Sequence, residues 1–207
     1  MGYITSSSGK AEESMAQQGI TESNARTYYN DFKSGWYGGA DATWLFNRNY
    51  GAGFRYKFFS SAAATEGSID LPEEYNIFFS EYREDLFINY AGVSLFCRQP
   101  LGYNEKFSLY GCYSMGMAFY RNQMEFLSEY WLVTGDALGF DGGLGFEYEI
   151  TPYMSAGAEI SVFQATIKKI DINNGEIDQT QELDKENYEN LSRVEFSVGI
   201  RFYLGKR

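Results

Sequence analysis

Six carboxylates and four cations fall at the polar positions of alternating segments: Asp41, Asp141, Glu147, Glu149, Glu159 and Glu195 against Arg55, Lys57, Arg193 and Arg201. Two carboxylates held close together can do general acid–base work. Hydrolytic and acyl-transfer sites generally add an imidazole as base, and this chain has no histidine. Each strand carboxylate has a cation available to it. The pattern therefore predicts a mutually neutralising structural network, since an unpaired buried charge costs several kcal/mol. No catalytic residue, cofactor or metal site is expected.

Three further clusters carry less chemistry than their residue types offer. Asp171, Asn173, Asn174, Gly175, Glu176 and Asp178 resemble a calcium loop, but the glycine comes at the fifth position and no glutamate stands at the twelfth. Asn174–Gly175 between Ile170, Ile172 and Ile177 reads instead as a tight hairpin turn. Gly142, Gly143 and Gly145 could cradle a phosphate only if a helix opened after them, and strand alternation continues there. Cys97 and Cys112 flank a turn. A hairpin centred near residue 102 places Cys112 opposite residue 92, a stagger of about five residues at ~3.3 Å each, beyond disulfide reach. Both are expected to be free and packed on the wall.

The elements that position these groups are strands with a two-residue period. One phase carries Trp36, Trp44, Phe54, Phe119, Phe140, Phe146, Val198, Ile200 and Phe202. The other carries Gly, Ser and Ala with charges of both signs, including Asp41, Arg55, Lys57, Asp141, Glu147, Glu159, Arg193, Glu195 and Arg201. Small residues suit the lumen of a barrel of about eight strands, which is only as wide as its own side chains. The large apolar set then faces outward, toward lipid. Near 85–98 the phase changes: Leu86, Ile88 and Tyr90 share a face, then Val93 and Leu95 take the other. A bulge near Ala91–Gly92 is expected there.

Long polar stretches near 9–34, 61–84, 122–134 and 168–189 alternate with short connections near 47–50, 99–106 and 151–152. Long connections at one end and tight turns at the other mark a transmembrane barrel. The expected fold is all-β: an antiparallel up-and-down transmembrane β-barrel of eight strands with the first strand shortened, a single domain over 1–207. Mean hydropathy is negative, and no run approaches a membrane helix, but alternating strands hide their apolar half from such averages. The 18 Tyr and 17 Phe suit interfacial girdles. The net charge of −11 argues against nucleic acid. The four long stretches hold 19 acidic and 7 basic residues, the rest 9 and 10. That excess is either ordinary loop solvation or a role involving cations or lipopolysaccharide.

Within residues 9–34, Thr21 is a candidate cap for a short helix with Tyr28 and Phe32 on one face, lying over the barrel mouth; a disordered loop is the alternative. Residues 2–8 are a stub, too short to span a bilayer, which takes about 9–11 tilted residues. The wall is therefore expected to gap between the strands at 36–46 and 193–204. A longer precursor carrying an export signal and about ten residues of strand would close it.

Several strings resemble the outer-membrane β-barrel domain proteins of Bacteroidetes: Phe32-Lys33-Ser34-Gly35, Gly39-Ala40-Asp41-Ala42-Thr43, Leu45-Phe46-Asn47, Gly51-Ala52-Gly53-Phe54-Arg55-Tyr56, and the stretch from Leu183-Asp184-Lys185 through Asn187-Tyr188 to Leu191-Ser192-Arg193. The resemblance covers about residues 19–204 and implies a small outer-membrane barrel, most members of which have no assigned activity. The ending also resembles the signal read by barrel-assembly machinery, with Ser197, Gly199, Phe202 and Leu204 in its places. Lipid, lipopolysaccharide and that machinery are the implied partners, the protein being a monomer with a structural or surface-interaction role. The alternative is a soluble or periplasmic barrel with its apolar face inward around a small lipid-like ligand.

Overall fold

The computed structural model describes residues 1–5, 22–69, 78–126 and 129–204. In chain order the elements are β1 (Gly2–Ile4), α1 (Glu22–Lys33), β2 (Ser34–Leu45), β3 (Tyr50–Ile69), β4 (Phe78–Leu101), β5 (Phe107–Phe126), β6 (Glu129–Thr151), β7 (Met154–Ile167), β8 (Lys169–Asn173), β9 (Asp178–Glu182), β10 (Glu189–Asn190) and β11 (Arg193–Phe202). Each strand from β2 to β6 pairs antiparallel with the next. The ring returns through β7 to β11, β11 to β1, and β1 to β2. This is an antiparallel up-and-down barrel. The alternation of large apolar with small or charged residues supplies the two faces that such closure needs.

The two ends of the barrel differ. At one end the connections are short, between Leu45 and Tyr50, Leu101 and Phe107, and Thr151 and Met154. At the other the strands run on. β3 and β4 stay in register from Tyr50↔Cys97 to Ile69↔Phe78, and β5 and β6 from Phe107↔Tyr148 to Phe126↔Glu129. The polar stretches 61–84 and 122–134 are thus largely strand, not loop. A backbone ladder satisfies its own donors and acceptors whatever the side chains are, so polar sequence does not end a hairpin. The hairpin of β8 and β9 stands on β6 through Leu132↔Asn173. Its turn has Gly175 at φ 88°, and the Asn174 side-chain carbonyl accepts from the amides of Glu176 and Ile177 at 3.0 and 2.7 Å.

Two expectations about β4 need correction. No bulge interrupts it: Ala91 pairs with Tyr56 and Met117, and Gly92 with Arg55 and Gly116, in unbroken register. Leu86, Ile88 and Tyr90 are buried on the inner face, while Val93 and Leu95 are exposed on the outer one. The sequence changes phase because the lumen changes character, not because the strand slips. The β4–β5 hairpin also centres later than residue 102, pairing Cys97 with Gly111 and Cys112 with Phe96. The cysteines are therefore offset by one position rather than five. They remain free, with Cys97 exposed and Cys112 buried, because adjacent positions point to opposite faces of the sheet.

Helix α1 leads directly into β2. Its Ala25 and Tyr28 are buried against Ala63, with Tyr29, Phe32 and Tyr82 around them, and the Tyr28 and Phe32 rings stack at 6.3 Å. The i, i+4 spacing brings these two rings to one face. The helix so packs on the long-hairpin end of β3. Thr21 and residues 6–8 of the N-terminal stub lie outside the described residues.

Candidate functional site: the filled lumen

Successive inner positions of β3 read Arg55, Lys57, Phe59 and then Ser61 and Ala63, all buried. The same face thus passes from charge to apolar within one step of two residues. Neighbouring strands make the same change. Toward the long hairpins, Phe59, Leu86, Ile88, Tyr90, Ala118, Tyr120, Val133, Phe163, Ala165 and Ile167 form one buried cluster with Ile4 and Leu191. Toward the short turns, the lumen holds ions.

Arg55 is the hub of the ionic part. Its Nε donates to Asp41 Oδ1 at 2.6 Å, Nη1 to Asp141 Oδ2 at 2.7 Å and Nη2 to Glu159 Oε2 at 3.0 Å. Lys57 Nζ donates to Asp141 Oδ1 at 2.6 Å, Ser161 Oγ at 2.9 Å and Glu195 Oε2 at 2.8 Å. Arg193 Nε donates to Glu195 Oε1 at 2.6 Å. Nearer the short turns, Glu147 pairs with Arg98 at 3.1 Å and with Arg201 at 2.8 Å, and accepts from Tyr203 Oη at 2.7 Å. Arg201 lies between the rings of Phe96 and Tyr110, at 4.4 and 4.5 Å. All nine lumen residues singled out in the sequence enter these contacts. Asp41, Asp141, Glu147, Glu159 and Glu195 balance Arg55, Lys57, Arg98, Arg193 and Arg201 one for one. Glu149 sits half-buried at the short-turn end of β6.

Glycines make room for this packing. A Cβ at Gly143 would lie 2.8 Å from Glu159 Oε1, and one at Gly139 would lie 3.2 Å from the Phe163 ring. At the border between the two zones, Arg193 is fully buried with its guanidinium 4.0 Å from the Phe163 ring centre and 5.1 Å from that of Phe59. Its Nη1 and Nη2 have no hydrogen-bond partner among the described residues. The ring faces supply part of what those donors lack.

Among the described residues, the arrangement holds one group of catalytic type. Ser161 Oγ accepts from Lys57 and donates to Glu195 at 3.0 Å, a serine beside a lysine. An amine acts as base only through a free lone pair. Lys57 spends its three hydrogens on three acceptors, which is the full capacity of an ammonium. Ser161 itself is 1% exposed. Among the described residues, no three Asp, Glu or Cys side chains are grouped to hold a metal ion.

Outside, the large apolar phase is exposed: Trp36 at 83%, Val198 at 76%, with Trp44, Phe54, Phe119, Phe146, Ile200 and Phe202 also open. Phe140 lies on the same face and is half-buried. Of the ending, Ser197 and Gly199 face the lumen side of β11, Phe202 faces out, and Leu204 lies exposed beyond the strand. Reading the sequence left out Arg98, Ser161 and Tyr203. Arg98 was within reach, sharing the phase of Ser94 and Phe96 on β4. The roles of Ser161 and Tyr203 depend on distances across the lumen, which no local pattern carries.

No protein family and no curated protein matches the chain. Among solved structures, the chain is similar to the outer membrane protease OmpT from Escherichia coli, at 13% identity and a TM-score of 0.43, over 78% of this chain and 60% of that one. The likeness is one of fold only, and the chain spans about 60% of that neighbour's length.

Proposed function

We propose that this protein is a non-enzymatic outer-membrane barrel with a structural or surface-interaction role, displaying its long hairpins at the cell surface. The observation that carries the reading is the combination of an outer face rich in exposed Trp, Phe, Val and Ile with an interior closed by ion pairs. A water-soluble barrel gains by burying such residues, whereas a membrane barrel gains by leaving them in lipid. A lumen occupied by a branched network of ion pairs also fits a barrel this narrow better than a pore. Nothing favours the reading with a small lipid inside, since the inner face of the lower lumen is filled by charged side chains. The bilayer lipid and the assembly machinery are the proposed partners, and the resemblance to Bacteroidetes barrels agrees with this role. The test is fractionation of the native protein. It should sediment with the outer membrane and need detergent to stay dispersed. A protein that remains monomeric in detergent-free buffer after extraction would overturn the membrane placement.

A further inference from the structure

The barrel wall has a slot. β1 pairs with β11 over Gly2↔Glu195 to Ile4↔Arg193, and with β2 over Gly2↔Gly35 and Tyr3↔Ser34. Beyond that short strand, β2 and β11 run on toward the short turns. Among the described residues, no strand pairs with their facing edges from Tyr37 to Leu45 or from Ser197 to Phe202. A cavity of about 410 Å³ opens there into the charged lumen, bordered by Gly39, Asp41, Gly199 and Arg201.

The ladder fixes which backbone groups face the slot. The Met1 amine donates to Phe196 O at 2.9 Å, and Phe196 N donates to Met1 O at 2.9 Å. In an antiparallel ladder, alternate residues turn both groups to the same edge. Val198, Ile200 and Phe202 therefore turn theirs into the slot, as Phe196 does. Tyr203 N goes the other way, to Tyr153 O in the turn just before β7, as that alternation requires. On β2 the alternate set is Tyr37, Gly39, Asp41 and Thr43. Two such rows on opposite sides, already spaced by β1 to admit one strand, form a complete template for one more.

We propose that the slot is the seat of one further β-strand that runs on from β1 past Met1 in the same polypeptide, antiparallel to both β2 and β11. Continuity of the ladder across the Met1–Phe196 pair fixes its direction and register. It takes nine residues, one opposite each position from Tyr37 to Leu45. Its outward side chains fall beside Gly38, Ala40 and Ala42 on β2, which are small, and beside Val198, Ile200 and Phe202 on β11. Large apolar residues fit that row. Inward, one position falls between Gly39 and Gly199, where a Cβ on Gly199 would meet nothing within 4 Å, so a large side chain fits there. The next inward position falls between Asp41 and Arg201 and calls for a small polar residue.

The test extends the protein at Met1 by nine residues: Val or Leu at the outward positions, Tyr between the two glycines, and Ser at the other inward positions. A second version carries the same residues shifted by one, which turns every side chain to the wrong face. Hydrogen exchange is read at the amides of Val198, Ile200, Phe202, Tyr37 and Gly39 in detergent, with Ile88 and Tyr90 as reporters that the barrel is folded. The in-phase extension should slow exchange at the slot amides by at least about tenfold while the shifted one does not. Equal protection by both versions, or by neither in a barrel whose Ile88 and Tyr90 amides remain protected, would overturn the proposal. So would a free nine-residue peptide of the in-phase sequence that protects the slot as well as the tethered one at equal concentration, since the strand would then come from another molecule.

Discussion

Above Phe59 the lumen is packed by Leu86, Ile88, Tyr90, Phe163 and Ile167, and below it by Arg55, Lys57, Asp141, Glu159 and Glu195. The apolar half is closed, while the charged half borders a cavity of about 410 Å³ beside Asp41 and Arg201, and the two resist change for different reasons. The apolar half contributes in proportion to the area it buries, and a lost group leaves a cavity into which its neighbours partly relax. The charged half contributes little as a sum, because attraction between the ions is offset by their desolvation. What it does is make every member depend on the others. Asp141 bridges Arg55 and Lys57, and Glu195 bridges Lys57 and Arg193. The charged half therefore specifies one arrangement more strictly than the apolar half, for no greater net stability.

The sharpest way to break this contrast is Asp141→Ala, which leaves two buried cations short of a partner. It should cost about 3–5 kcal/mol, read as a shift in the denaturant midpoint of the refolded barrel in detergent. A shift below that of the next variant would remove the contrast. Leu86→Ala in the apolar half should cost about 2–5 kcal/mol, and a larger methionine at the same site should recover most of it in the same assay. Arg201→Met is expected to cost only about 1–2 kcal/mol. Its side chain is a quarter exposed, and Glu147 keeps Arg98 and Tyr203. Finding Arg201→Met as damaging as Asp141→Ala would show that the two charge clusters act as one. The smallest effect belongs to Ser94→Ala. The Ser94 hydroxyl is buried on the inner face of β4 without a hydrogen-bond partner among the described residues, so its removal should change stability by no more than about 0.5 kcal/mol, or raise it slightly. Thermal melting followed by heat-dependent gel mobility would detect a loss larger than that.

Much of the barrel was legible in the order of residues. A two-residue period is a local property, so the outward set from Trp36 to Phe202 and the inward charges from Asp41 to Arg201 could be read strand by strand. The Asn174–Gly175 turn was legible for the same reason, since its backbone needs only a residue tolerant of positive φ and a side chain that caps its own neighbours. Legibility failed where one local pattern has two tertiary causes. On β4 a phase change could mean a bulge or a change in what fills the lumen, and only the strands on either side decide between them. The polar hairpin arms failed likewise, because a paired ladder holds polar residues as well as a loop does.

The sequence by itself determined the alternation, the signs of the inward charges and the absence of an imidazole, all of which are facts about single residues and their spacing. The tertiary structure decided which ions meet, since Arg55 and Glu159 stand 104 residues apart and come together only when the ring closes. It also decided the border at Phe59 and the open edges of β2 and β11. Such features belong to pairs of strands, and the side-chain period of one strand is silent about which neighbour it will find or whether it will find one.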